Sequence, residues 1–318
     1  MMQTLNALTS LKLGPGTPSI TSTARPAPSP NQGPRFDKIS QVSVERPHIL
    51  VLHYTACPLP ETLSIFRTPD KVSAHYTLDD NGDLYSHVPE TANAWHAGVS
   101  YWDGIRNINP YTLGIENVNL GYVYRESCEI PRLIEGDDVQ AQAANAAREQ
   151  LWTEIGEERA RGEEANEPPT WVPFEEIQIQ KLVELTQELV KKYDIKPHHV
   201  VGHSDVCQPY NRKVDPGPLF PWQRLAKAGV GAWPKAELMA EAPTDINYVR
   251  ARDCLIKIGY QVEAEASANA LKAPLKAFQM HYRPASFEGQ LDEETAQILS
   301  ALASDPDNFI KPSERLKK

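Results

Sequence analysis

The chain contains no long apolar run. No stretch approaches the ~18 consecutive apolar residues of a membrane-spanning helix. It also lacks an excess of positive charge. Its 32 Lys and Arg stand against 42 Asp and Glu, a net charge of −10. Nucleic acid as the main partner needs clustered cations, so that class is excluded. Cysteine is scarce: Cys57, Cys128, Cys207 and Cys254 are scattered, with no C-x-x-C spacing and hence no structural zinc pattern. Four cysteines in 318 residues do not fix a redox compartment. The opening "MMQTLNALTSLKLG" has no basic start and no unbroken apolar segment, and does not read as a secretory signal.

What is present describes a globular protein. Hydrophobic residues make up 41% and charged residues 23%, over a length that suits one large domain and a small one. Residues 14–35 are rich in Pro, Ser, Thr and Gly. With little apolar surface to offset their ordering entropy, residues 1–39 read as a disordered arm. A catalytic-sized domain is expected over 40–235. Within it, "PHILVLHYTA" (47–56) reads as a buried strand, "SAHYTLDDNGDLYSHV" (73–88) as strand, turn, strand, and "YTLGIENVN" (111–119) as another strand. Residues 174–195 space Ile177, Ile179, Leu182, Leu185, Leu189 and Val190 as an amphipathic helix, and "HHVVGH" (198–203) follows as a strand. Residues 122–173 read as an insertion, either a solvated helix and loop or a wall of a groove. Three helical patterns over 244–305 form a separate module. The expected fold is α/β, a mixed central sheet flanked by helices, with a small C-terminal three-helix module.

Two strands end in histidine, His53 and His203, at the rim where open α/β sheets hold their ligands. Asp215 follows on a loop stiffened by Pro216 and Pro218. If the strands are neighbours, two imidazoles and a carboxylate leave a fourth position for water, as a hydrolytic zinc centre needs. Each residue also has a plainer reading. A lone strand-end histidine is usually structural, Glu116 in "LGIEN" suits an exposed edge, and Lys213 suits a surface. Together the five form a set in which the metal activates water, Glu116 moves protons and Lys213 steadies an oxyanion.

The stretches "VLHYTA", "SAHYTL", "NAWHAGVSYWDG", "TLGIENVN", "PHHVVGHSDV" and "RKVDPGPLFPWQRLAKAGVGAW" together resemble the zinc-dependent N-acetylmuramoyl-L-alanine amidases of the Amidase_2 (peptidoglycan recognition protein-like) superfamily, and within it the AmiD type. The resemblance spans about residues 47–233. It implies a Zn²⁺ held by His53, His203 and Asp215, Glu116 as catalytic carboxylate, Lys213 as polarising group, and Trp95 and His96 as substrate contacts. The implied reaction cleaves the amide between the lactyl group of N-acetylmuramic acid and L-alanine, in peptidoglycan or muropeptides, by a monomer. The loop "CQPYNRK" and the 122–173 insertion are both longer than the resemblance leads one to expect. The tail from Asp245 resembles a peptidoglycan-binding module.

Two other readings stand beside this one. A protein that binds peptidoglycan without cutting it would lack a ligand, whereas here the whole set is present. A cytoplasmic enzyme recycling anhydro-muropeptides fits the missing signal. The wall-binding tail opposes it and favours the cell envelope. Finally, Cys57 and Cys207 each lie four residues after an expected ligand. They form either a disulfide at the rim of the site or two separate buried thiols.

Overall fold

The structure, a computed structural model, describes residues 19–123, 133–134, 139–160, 170–208, 212–310 and 313. Its centre is a six-stranded sheet. In chain order the strands are β1 (Arg25–Pro26), β2 (Ile49–Tyr54), β3 (Tyr76–Leu78), β4 (Leu84–Ser86), β5 (Thr112–Asn117) and β6 (Val200–Gly202). In space they lie in the order β1-β4-β3-β5-β2-β6. All neighbours are parallel except the β3–β4 hairpin, so the sheet is mixed as expected.

The continuous apolar run of β2 is explained by burial on both faces. Leu50 and Leu52 pack with Leu113 and Ile115 of β5 against α3 (Glu176–Tyr193), through its Leu182, Leu185 and Leu189. Ile49 and Val51, pointing the other way, join a second buried cluster. That cluster includes Trp102 and Ile108 from the loops after β4, and Leu255, Ile258, Leu271, Phe278, Leu299 and Leu302 from the C-terminal helices. The result is three layers: α3, the sheet, and the loops with the tail helices.

After the short helices α5 (Trp222–Lys227) and α6 (Ala236–Glu241), the three expected tail helices are present as α7 (Tyr248–Ile258), α8 (Ala268–Tyr282) and α9 (Glu293–Ser304). Asn247, Ser267 and Asp292 cap their N-termini by accepting from the backbone N–H three residues on. They pack on the rest of the chain as well as on one another. Besides the shared apolar cluster, Asp205 accepts from the Tyr260 hydroxyl (2.6 Å) and from His281 Nδ1 (2.8 Å), and Trp222 stacks on His281 with centroids 3.7 Å apart. The apolar faces of these helices cover the sheet as well as one another, and sequence spacing does not distinguish the two uses.

The expected disordered arm is also corrected. Residues 1–18 lie outside the described residues, but 19–39 are ordered. Ala27 and Ser29 donate backbone N–H groups to Ser86 and His87, extending the edge that β1 forms on β4. Proline is tolerated there because an edge strand needs only half its donors. Asn31 Nδ2 donates to the carbonyls of Phe66, Thr68 and Val72, capping the end of α1 (Leu59–Arg67). Arg35 is buried and donates through Nη1 to the carbonyls of Pro110 (2.8 Å) and Thr112 (2.9 Å). Polar pairing, not apolar burial, orders this segment.

Of the expected insertion, the described part holds an antiparallel pair at its base, Tyr122–Val123 with Thr170–Trp171, and α2 (Val139–Ala160). Residues 124–132, 135–138 and 161–169 lie outside the described residues, as do 209–211 of the lengthened loop.

Candidate active site

Strand register assembles the site. In the β2–β5 pair His53 lies opposite Glu116, and in the β2–β6 pair Leu52 lies opposite Gly202. His203, next along, therefore falls beside His53 at the C-terminal rim of the sheet. It opens the short helix α4 (His203–Val206). Asp215 reaches them because its carbonyl accepts from Ser204 N (2.8 Å), which ties its loop to α4. From the base of the insertion, Trp171 rests its ring on Gly217, where a Cβ would lie 2.6 Å from the indole.

Three donor atoms converge. His53 Nδ1, His203 Nδ1 and Asp215 Oδ2 lie 3.0–3.1 Å from one another, all buried. Hydrogen-bond direction settles which ring nitrogens carry protons. Thr112 Oγ1 donates to the Asn109 carbonyl (3.0 Å), so its oxygen accepts from His96 Nε2 (2.9 Å). His96 Nδ1 is then a lone pair and accepts from His53 Nε2 (3.0 Å). His53 Nδ1 is left bare. His203 donates through Nε2 to the Ala97 carbonyl (3.2 Å), so its Nδ1 is bare too. Burial above all pushes His53 from 6.5 down to about 4, against the pull of Asp215, which keeps the ring neutral. Burial raises the Asp215 carboxyl, but His203 and His53 outweigh it and hold the group well below the usual carboxylate range. Bare lone pairs aimed at one point repel unless a cation sits among them. This donor set, with N–H groups anchored behind both rings, fits a metal ion.

The cavity beside these atoms has a volume of about 340 Å³. Glu116 and Lys213 line it with the three donors, joined by Tyr122, Arg212 and Phe66. Burial pushes the Glu116 carboxyl well above 4.5, and the charge of Asp215 adds to this while Lys213 opposes it. Its Oε2 is buried and makes no hydrogen bond among the described residues. Lys213 is exposed at the mouth.

The structure thus brings the five expected residues to one cavity, and two others need comment. His96 borders the cavity, but it is 7% exposed and both its nitrogens are engaged, by His53 and Thr112. Its polar atoms are thus spent on the protein, where they orient His53. Gly114 permits this, because a Cβ there would lie 2.6 Å from the His96 ring. Trp95 is 37% exposed and is not among the cavity's lining residues. Thr112, Tyr122 and Arg212 were missed. Only Arg212, in the basic pair beside Lys213, left a trace in the sequence. Cys57 and Cys207 are both buried free thiols, so the bridge is not formed. Cys57 Sγ lies 3.3 Å from Thr62 Oγ1, whereas Cys207 faces the Ser204 and Lys213 carbonyls.

Comparison with known proteins agrees with this geometry. The profile of the Amidase_2 family, N-acetylmuramoyl-L-alanine amidase, matches residues 43–218. The N-acetylmuramoyl-L-alanine amidase AmiD of Escherichia coli is 33% identical over 276 residues, 83% of this chain and 84% of AmiD. The 1,6-anhydro-N-acetylmuramyl-L-alanine amidase AmpD of Enterobacter cloacae is 26% identical over 64% of this chain and 88% of its own. Among solved structures, E. coli AmiD in complex with the substrate anhydro-N-acetylmuramic acid-L-Ala-D-gamma-Glu-L-Lys superposes with a TM-score of 0.65 at 31% identity, covering 84% of this chain and 93% of that one. AmpDh3 of Pseudomonas aeruginosa in complex with anhydromuramic pentapeptide gives 0.63 at 30% identity, covering 84% and 96%. With the family profile spanning more than half its length and AmiD alike over most of it, the chain belongs to the Amidase_2 family and is an N-acetylmuramoyl-L-alanine amidase.

Proposed function

We propose that the chain cleaves the amide between the lactyl group of N-acetylmuramic acid and L-alanine in peptidoglycan fragments, using zinc held by His53, His203 and Asp215. The observation that carries this reading is the convergence of three bare donor atoms, 3.0–3.1 Å apart, on a cavity that also holds Glu116 and Lys213. Two imidazoles and one carboxylate are a donor set that zinc takes in hydrolytic sites, with a fourth position left open. When bound, zinc supplies a Lewis acid that polarises the carbonyl and brings the pKa of water from ~15.7 towards ~7.

The chain's own groups do the rest. Glu116 takes the proton of the attacking water and returns it to the leaving amine nitrogen. Its burial raises its proton affinity, which suits a group that must accept and release a proton near neutral pH. Lys213 donates to the carbonyl oxygen as negative charge develops there. Thr112 and His96 hold the His53 ring in its ligating tautomer. Trp95, outside the cavity, offers an apolar face to the part of a longer substrate that projects from it.

The muropeptides held by the two similar structures support a peptidoglycan fragment as substrate. No described helix is long and apolar enough to cross a membrane. We assign the enzyme to the cell envelope as a monomer, with α7–α9 holding polymer; fractionation and sedimentation of the native protein test the first two. Stripping the metal should abolish release of the peptide from a soluble muropeptide, and one equivalent of zinc at this site should restore it. Full turnover by metal-free protein would overturn the mechanism. The full-length Glu116→Ala chain should sediment with intact sacculi without digesting them. Failure to sediment would remove the polymer-holding role.

A further inference from the structure

A second group of two histidines and one aspartate lies away from the cavity just described. Strands Tyr101–Trp102 and Ile105–Arg106 form a hairpin, and Asp103 sits at its tip. The tip is an Asp-Gly pair with φ of +47° and +85°, the backbone that a tight two-residue hairpin requires. Facing it is the 3₁₀ turn Pro197–His199, which leads directly into β6. Trp102 Nε1 donates to the His198 carbonyl (2.9 Å) and holds hairpin and turn together.

Hydrogen bonds again decide the tautomers. His198 Nδ1 donates to the Asn308 carbonyl (2.9 Å), and His199 Nδ1 donates to the His48 carbonyl (3.0 Å). In the neutral rings both Nε2 atoms are then bare, and both point at one oxygen. Asp103 Oδ2 lies 3.3 Å from His198 Nε2 and 2.9 Å from His199 Nε2. Two bare nitrogens facing a carboxylate oxygen need positive charge between them. One shared cation satisfies all three donors. In a tetrahedral site with bonds of ~2.0–2.1 Å the donors sit about 3.3 Å apart, close to the two separations from Asp103 Oδ2. A backbone carbonyl behind each ring is the usual anchor of a ligating histidine. Asp103 is partly exposed, which gives an ion access and leaves room for water as fourth ligand.

We propose that Asp103, His198 and His199 bind a second divalent transition-metal ion, zinc by its donor chemistry, which clamps the Tyr101–Arg106 hairpin to the turn preceding β6. The ion has a structural task.

Metal-stripped full-length protein, titrated with Zn²⁺ and dialysed, provides the test. The readout is the difference in bound zinc between the wild type and Asp103→Asn, whatever the total. The expected loss is one equivalent per chain, with circular dichroism unchanged because Asp103 is at an exposed tip. Titration with Co²⁺ should show the matching loss of one set of tetrahedral d–d bands. His199→Gln should give the same loss. Equal zinc in wild type and Asp103→Asn overturns the proposal, and the cluster is then held by protons alone.

Discussion

The two clusters of two histidines and an aspartate sit at opposite ends of the same pair of strands. His53 and His203 end β2 and lead out of β6. His199 immediately precedes β6, and His48, whose carbonyl anchors it, precedes β2. Donor chemistry is the same at both ends, yet their surroundings differ. At the C-terminal end the strands open on a cavity lined by Glu116 and Lys213. At the N-terminal end the aspartate arrives on a hairpin tip, and Trp102 and Asn308 hold the turn that carries the two histidines. Parallel strands deliver their loops to a crevice beyond the carboxyl ends, and that is where substrate can enter. On the proposed reading, a ligand set becomes catalytic through what the neighbouring strand adds. Here β5 adds Glu116 in register with His53.

The sharpest way to break this comparison is to remove that addition. Glu116→Ala should lower turnover by ~10²–10⁴ and leave zinc content unchanged, because Glu116 is not among the three converging donors. Asp103→Asn, at the other end, should leave turnover within a few-fold. Steady-state rates on a soluble muropeptide, beside metal analysis of both proteins, provide the check. Equal losses would mean that the two ends are not functionally distinct.

Lys213→Ala should follow, with a loss of ~10²–10³ in kcat, the range for one oxyanion donor. Its side chain is exposed, so thermal stability should stay the same. A fall confined to KM would show that Lys213 binds the ground state and not the transition state.

A smaller effect is expected behind the ligand. Thr112→Val keeps shape but removes the oxygen that accepts from His96 Nε2. The His96 ring then loses its fixed tautomer, and with it the orientation of His53. Zinc affinity of the catalytic site should weaken by ~10–100-fold, read by competition with a chelator. The Asp103 cluster has its own anchors and should hold its ion as before. Loss at both sites together would show that the strand pair couples them.

Much of the catalytic end was legible because its signals are local. An apolar run ending in histidine announces a buried strand and a rim position, as at β2 and β6. The spacing of Leu182, Leu185 and Leu189 announces α3. The rest depends on pairing between distant segments, which leaves no periodic trace. Arg35 reads as one cation in a Pro-rich stretch. Only the folded chain shows it beneath β5, donating to the carbonyl of the same Thr112 that anchors His96. Leu255 and Ile258 of α7 read as the core of a small bundle, yet they lie in one buried cluster with Ile49 and Val51 of the sheet. His96 reads as a contact through the family resemblance of "WHAG" alone, and its bonds to His53 and Thr112 show only in the fold. Its burial follows from Gly114 on another strand.

A third kind of histidine sharpens the comparison, because it should answer to protons and ignore metal. His87, on the far side of the sheet, has both nitrogens engaged by protein: Nδ1 donates to the Ala27 carbonyl (2.7 Å) and Nε2 lies 2.8 Å from Thr77 Oγ1. Burial above all lowers its pKa from 6.5 to about 4. The unfolded chain therefore binds a proton that the folded chain refuses. The stabilising contribution is complete above pH 6.5, fades as pH falls through that value, and is gone below about 4. Its size is on the order of 3 kcal/mol, at ~1.36 kcal/mol for each tenfold change in proton affinity. Other buried histidines titrate in the same window, so the readout is a difference between proteins. Urea midpoints of wild type and His87→Gln, measured from pH 7 to pH 4.5 with and without added zinc, should converge on acidification. The variant starts less stable and loses less, because glutamine takes no proton. Zinc should raise both curves alike, since His87 offers it no free donor. Curves that stay parallel across the range would show that His87 does not hold the arm to β4 in its neutral form.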